Sequence, residues 1–185
     1  MEYVNNAIFY HIQKLGVEII PWQIGEEREI GKTLNPHLAF YDTYSALNAD
    51  PVEACQEYYS FAKEYIFEEV RRKRFPDHPS RYTCLWMIPN TSNLQNALNY
   101  WLPQLIKLEN GSAGLWILGL RCTGKIHYAN EQYYINNPWS SFNDLRISAV
   151  KYWEGQNAFP ESVTTEVLFT GTLIVDHVYT MDKQP

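Results

Sequence analysis

Apolar and polar positions alternate with a period of two along residues 163–169. Val163, Thr165, Val167 and Phe169 fall on one face, and Thr164, Glu166 and Leu168 on the other, as in a β-strand. The stretch predicts a strand with an acidic residue in its interior, separated by Gly171 from a last strand, Thr172 to Tyr179. The same reading gives a first strand at Ala7 to Ile12, a second at Arg81 to Ile88, and a third extended region from Leu115 through Cys122. This last region is expected to turn at Thr123-Gly124 and continue to Tyr128 as a hairpin.

Helical signals fall between these strands. Asp50-Pro51-Val52-Glu53 offers an N-cap, a proline at the first helical position and an acidic first turn. The helix is expected to run towards Arg74, burying Ala54, Tyr58, Phe61 and Tyr65, and to stop at Pro76. Thr91 or Ser92 caps a second helix, whose stripe is Leu94, Ala97, Leu98 and Trp101 and whose end is Pro103. Residues 16–34 are punctuated by Gly16, Pro21, Gly25 and Gly31 and predict loops. Tyr133 to Ser141 reads as irregular, and a short helical turn over Asp144 to Lys151 leads into Tyr152-Trp153-Glu154-Gly155. Strand, helix, strand, helix and then mostly strands is an α+β order.

Composition narrows the picture. With 185 residues, 45% hydrophobic and 15% aromatic, the chain has enough for one core and reads as a single soluble domain over 1–185. A net charge of -6 argues against a general nucleic-acid coat or a membrane-surface protein. Cys55, Cys84 and Cys122 are odd in number and widely spaced, which indicates neither a disulfide framework nor a zinc cluster. No secretory leader or membrane span is read, so a cytoplasmic location is expected. Gly31-Lys32-Thr33 matches the end of a phosphate-binding loop, but Glu26 stands where that loop needs glycine. No GxGxxG, HExxH, nucleophile elbow or CxxC is present.

Strands are depleted in acidic residues, so Glu166 needs a reason. Two are open: a charge on an edge strand that discourages pairing with other chains, or a carboxylate aimed into a cleft to steady a developing positive charge. The run Arg71-Arg72-Lys73-Arg74 also has two readings. It complements a helix C-terminal dipole, and beside Phe75, His78, Arg81 and Tyr82 it offers phosphate contacts next to rings on which bases stack.

His11 on an early strand, a second strand entered by Arg81 and carrying aromatics, and Glu166 on a late strand together resemble the ADP-ribosyltransferase fold. The chain is similar to a family of small bacterial proteins of uncharacterised function placed in that superfamily. The likeness lies in Phe9-Tyr10-His11-Ile12, Phe75-Pro76-x-x-Pro79-Ser80-Arg81, Tyr152-Trp153-x-Gly155 and Glu166-Val167-Leu168-x-x-Gly171. It also resembles the DarT type of nucleic-acid-modifying toxin, which pairs an early histidine strand with a late Glu-hydrophobic-Leu strand.

The resemblance implies an ADP-ribosyltransferase-like split β-sandwich with flanking helices, NAD as co-substrate and no metal. Glu166 would hold the nicotinamide-ribose 2′-hydroxyl and stabilise the oxocarbenium ion. Arg81 would face the pyrophosphate or an acceptor phosphate. His11 would bond the other ribose, with Gln13 helping to hold the donor. Trp86, then Tyr82, would stack on nicotinamide, and Tyr152 and Trp153 would wall the donor site. Thr164 stands where arginine-modifying members carry Gln or Glu, which disfavours protein arginine as acceptor. The implied function is a mono-ADP-ribosyltransferase toxin acting on a nucleic-acid base, RNA ahead of DNA. Arg71, Arg72, Lys73 and Arg74 would contact the polymer, and a toxin of this kind implies an antitoxin partner, with or without a chaperone, as in phage-defence operons. The alternatives are protein ADP-ribosylation, NAD hydrolysis, or a binding module of the same fold with no activity.

Overall fold

The computed structural model describes residues 1–14, 21–47, 49–107, 114–135 and 140–180. Strand β1 covers Glu2–Lys14 and β2 Glu27–Ile30; helix α1 covers Pro36–Thr43 and α2 Pro51–Arg74. Strand β3 covers Leu85–Pro89, helix α3 Leu94–Lys107 and strand β4 Leu115–Asn130. Helix α4 covers Gln132–Ile135, α5 Phe142–Trp153 and strand β5 Thr165–Thr180. The fold is α+β, as the element order implied.

Every strand pairing is antiparallel. The order is β2-β5-β3-β1-β4, and β4 also pairs with β5, so β5, β3, β1 and β4 close a ring. The alternation read at residues 163–169 explains how β5 is buried on both faces. Val167 and Phe169 enter the ring with Phe9, Met87, Leu118 and Leu120. Leu168 faces outward into a second core with Phe67, Ala149, Tyr152 and Trp153, where α2 and α5 cover the sheet. Helix α3 covers a third patch, laying Ala97, Leu98 and Leu102 on Ile88, Leu115 and Ile117. Each buried Val, Leu, Ile, Phe or Met side chain among these contributes about 1.5–3 kcal/mol by leaving water.

The start of α2 follows local chemistry. Asp50 Oδ1 accepts from the amides of Val52 (2.9 Å) and Glu53 (3.3 Å), Pro51 opens the helix, and Phe75 closes it through Arg71 O at 2.7 Å. Its buried face differs from the one expected. Glu64, Ile66, Phe67, Glu68 and Val70 are buried, whereas Tyr58, Phe61 and Tyr65 are exposed. The first half of α2 meets α1 and its C-cap through ring contacts, Tyr41 tilted on Phe61 (5.2 Å) and Tyr44 edge-on to Tyr58 (5.7 Å), and its buried positions begin at Glu64.

Several boundaries are corrected. The second strand starts at Leu85, and Arg81 to Thr83 form the turn before it. Helix α3 continues through Pro103, because Leu98 and Leu102, packed against the sheet, hold it past the proline. Strand β2 occupies Glu27 to Ile30, where loops were expected, paired with Gly171 to Ile174; residues 16–20 of that expectation lie outside the described residues. Helix α5 has three turns, capped by Ser141 Oγ accepting from Asp144 N at 3.2 Å. Part of the stretch read as irregular is α4, with residues 136–139 outside the described residues.

The largest correction concerns two glycines. No hairpin forms at Thr123-Gly124, and no break occurs at Gly171: β4 and β5 each run straight through. Gly124 lies opposite Gly171 in register. A Cβ on Gly124 would stand 2.2 Å from Thr170 O, and one on Gly171 2.4 Å from Thr123 O. These glycines permit a close approach of two long strands, not a turn. Among the described residues no helix is long and apolar enough to cross a membrane.

Candidate active site

Glu166 is not on a free edge. It lies opposite Ala129 of β4, and the next residue, Val167, pairs with both Tyr128 and Met87. Its side chain is one-tenth exposed. The charge therefore has a partner to account for it, and that partner is Arg81.

Four elements build the arrangement. Helix α2 presents Glu64, the turn before β3 presents Arg81, the last turn of α5 presents Tyr152, and β5 presents Glu166. Arg81 forks onto Glu64 through Nε to Oε2 (2.8 Å) and Nη2 to Oε1 (2.9 Å). Its Nη1 donates to the Tyr152 hydroxyl at 2.5 Å and to Glu166 Oε1 at 3.1 Å. Tyr152 in turn donates to Glu166 Oε1 at 2.5 Å. The rings of Tyr134, Trp86 and Tyr152 surround the guanidinium, with centroids 4.1, 5.2 and 5.3 Å from Cζ.

Burial opposes ionisation of Glu64, but the Arg81 charge and its paired bonds hold that carboxyl below the ordinary value. For Glu166 burial prevails and its pKa is raised, with Arg81 and the Tyr152 hydroxyl pulling against the shift. One guanidinium is thus shared unequally between two carboxylates.

Two further groups belong to the same network. Glu131 follows β4 directly, and its amide donates to Thr164 O at 3.0 Å. Ala129 faces Glu166, so Glu131 stands diagonal to Glu166 on the same face. Burial, then the Glu166 charge, pushes its carboxyl up to about 7, against the Tyr100 hydrogen bond and the charges of Arg81 and Lys63. Lys63 sits over the Tyr134 ring at 4.0 Å. Burial lowers its pKa to about 8, with Arg81 acting in the same sense and Glu64 and Glu131 opposing it. Sequence reasoning missed Glu64, Lys63 and Glu131. Glu64 left one usable signal: it shares a helical face with Phe67, Glu68 and Arg71, so an acid recurs along an apolar stripe. Glu131 left none.

The other predicted residues are distributed unevenly. Trp86 lies beside Arg81, and its Nε1 is buried with no hydrogen-bond partner among the described residues. His11 touches neither Arg81 nor Glu166 directly. Its Nδ1 donates to Trp86 O at 2.8 Å, its ring stacks on Trp22 at 5.7 Å, and burial lowers its pKa to about 4 against that hydrogen bond. Opposite Leu118 and two positions from Phe9, His11 falls on the inner face of the sheet, whereas Glu166 falls on the outer one. Gln13 Oε1 accepts from Trp22 N at 3.2 Å. Tyr82 is half-buried, with the Arg72 guanidinium 6.0 Å from its ring. Trp153 is fully buried and donates Nε1–H to Phe67 O at 2.8 Å, tying α5 to α2.

The basic run at the end of α2 is largely paired. Arg71 bonds both oxygens of Glu68 and holds the next loop through Pro76 O (2.9 Å) and His78 O (3.0 Å). Arg72 reaches Glu68 at 3.4 Å, Lys73 reaches Glu69 at 2.6 Å and Arg74 reaches Glu154 at 4.0 Å. The last three stay exposed. A groove of about 620 Å³ opens beyond that loop, lined by Lys32, Arg71, Ser80, Lys125 and Thr170 among others; Glu166, His11 and Trp86 do not line it. Perturbed acids and a buried guanidinium mark the Glu166 network as the better candidate for chemistry. Among the described residues no three His, Cys, Asp or Glu side chains converge as a metal site.

A family model described as protein of unknown function (DUF2441) matches residues 9–182. The chain belongs to the DUF2441 family. The matched span holds Glu64, Arg81, Glu131, Tyr152 and Glu166, so the whole network is built within the DUF2441 region. No curated protein matches the chain.

Proposed function

We propose that the chain is an NAD-dependent mono-ADP-ribosyltransferase with an ADP-ribosyltransferase-like split β-sandwich, acting as a toxin on a nucleic-acid base. The observation that carries this reading is the bond from Arg81 Nη1 to Glu166 Oε1 at 3.1 Å, shared with the Tyr152 hydroxyl. It is the arrangement expected where a carboxylate must meet a cationic ribose while its own charge is held in place. The side-by-side order of β1, β3 and β5 supports the fold assignment, since these strands carry or adjoin His11, Trp86 and Glu166.

In this reading Glu166 accepts the nicotinamide-ribose 2′-hydroxyl and stabilises the oxocarbenium ion as neutral nicotinamide leaves. Arg81 keeps Glu166 ionised when substrate is bound and orients it. Its four bonds leave one of the guanidinium's five N–H groups for a phosphate. Trp86, whose indole N–H has no partner among the described residues, supplies a stacking ring and a donor. His11 acts on the donor site through Trp86, whose carbonyl it holds. The exposed Arg72, Lys73 and Arg74 give a local contact for an acceptor phosphate chain, RNA ahead of DNA, and an antitoxin partner is expected.

A second reading is favoured by the near-complete enclosure of Glu166: the network is a structural ion cluster in a binding module. The test is transfer of label from adenine-labelled NAD to separate RNA, DNA and protein pools. Label in a nucleic-acid pool supports the proposal; label in protein alone overturns the acceptor, and label in none, with no stabilisation by NAD, leaves the structural cluster.

A further inference from the structure

We propose that Glu131 is the second acid–base group of this site, the carboxylate that takes the proton from the acceptor atom as it attacks the ribose carbon made electrophilic beside Glu166. The inference rests on the ADP-ribosyl transfer reading and deepens it. In the step, the bond from the ribose anomeric carbon to nicotinamide nitrogen breaks, and its electron pair leaves with nicotinamide. A new bond forms from an N–H or O–H of the acceptor to that carbon, and the displaced proton passes to Glu131.

The placement follows from register. Ala129 faces Glu166, and Glu131 is tied to Thr164 by its own amide. The two acidic residues therefore flank one another on the outer face, Glu166 on β5 and Glu131 just past the end of β4. Capping does not account for the carboxylate. Helix α4 is opened by Asn130 Oδ1, which accepts from Gln132 N at 3.0 Å, and by Glu131's own carbonyl, which accepts from Tyr134 and Ile135. Among the described contacts the carboxylate bonds only the Tyr100 hydroxyl, through Oε2 at 3.0 Å, so Oε1 stays available. Charged or titratable groups act on it from four directions: Lys63 from α2, Arg81 from the turn before β3, Tyr100 from α3 and Glu166 from β5. Burial, with the Glu166 charge, raises its pKa to about 7 against the pull of the other three, where a carboxylate both accepts and releases a proton near neutrality.

The test compares wild type, Glu131→Gln and Tyr100→Phe for nicotinamide release and for label transfer between pH 5 and 9. Glu131→Gln is expected to lose transfer about a hundredfold or more, to lose the rise of rate with pH near neutrality, and to keep stabilisation by NAD. Tyr100→Phe keeps the carboxylate but removes the hydrogen bond that lowers its pKa, so the rise should move to higher pH. If Glu131→Gln fails to fold, the Tyr100→Phe profile decides. Transfer and profile unchanged in both variants overturn the assignment alone. A wild type that releases no nicotinamide with every acceptor pool present overturns the donor reading and this assignment with it.

Discussion

The Tyr152 hydroxyl accepts from Arg81 Nη1 and donates to Glu166 Oε1, each at 2.5 Å. A helix side chain thus fixes a strand carboxylate in one orientation. Tyr152→Phe keeps the ring against Phe67, 5.3 Å away, and deletes this bridge. The variant should lose about 1–3 kcal/mol in denaturant unfolding, and the Glu166 pKa should rise further, because the lost bond was one of those holding it down.

Arg81 is the partner both carboxylates share. Removing it as Arg81→Met leaves Glu64 and Glu166 buried without a cation, which should cost about 3–5 kcal/mol. Arg81→Lys should recover little, since an ammonium cannot reproduce the fork onto Glu64. Combining Glu64→Gln with Arg81→Met should cost less than the two singles summed, which a double-mutant cycle in urea would measure.

Gly124 and Gly171 are predicted to tolerate no side chain. Gly124→Ala or Gly171→Ala drives a Cβ into backbone at 2.2 or 2.4 Å, so neither variant should reach the wild-type fold. Gly25→Ala is the control: its φ is +83° but nothing lies within 4 Å, and the expected loss is about 1–2 kcal/mol. Circular dichroism and melting of the three variants would check this.

Acid should unfold the protein early. Burial lowers His127 to about 3, the neighbouring His78 acting in the same sense against a hydrogen bond to Tyr152 O, and lowers His78 to about 4. The rings stack 4.3 Å apart. A histidine depressed in the folded state gives stability that is present above its unfolded value and lost as pH falls through the window down to the folded pKa. For buried His127 the loss is about 1.4 kcal/mol per pH unit below roughly 6.5. Glu131, raised, works in the opposite sense: its contribution is present below its unfolded value and lost as pH rises through about 7. Urea midpoints should therefore fall between pH 6.5 and 4.5, and His127→Phe should flatten that fall.

What the sequence revealed was local or periodic. Asp50-Pro51 fixes the start of α2 within a single turn, and the Val167/Phe169 alternation places Leu168 and Glu166 on the outer face. What it hid depends on distant pairing. Thr123-Gly124 looks like a turn until Gly171 is known to face it, and β2, written Glu-Arg-Glu-Ile, has no apolar run of its own. Tyr58, Phe61 and Tyr65 have the spacing of a buried stripe, yet that half of α2 lies against the short α1 and leaves these rings exposed. In the site, Arg81 and Glu166 stand out because each is unusual where it sits. Glu64, 17 positions from Arg81, and Glu131, placed by the end of β4, become functional candidates only once the chain has folded around them.

The most direct measurement is nicotinamide release from NAD by wild type and Glu166→Gln, with RNA, DNA and protein present together. Gln keeps the size of the side chain and can still accept from Arg81 and Tyr152, so its melting temperature serves as the check on folding. Release by wild type that falls at least a hundredfold in a folded Glu166→Gln variant is the predicted result. Equal release by the two proteins, or none by wild type, would contradict it and return Glu166 to a structural ion cluster.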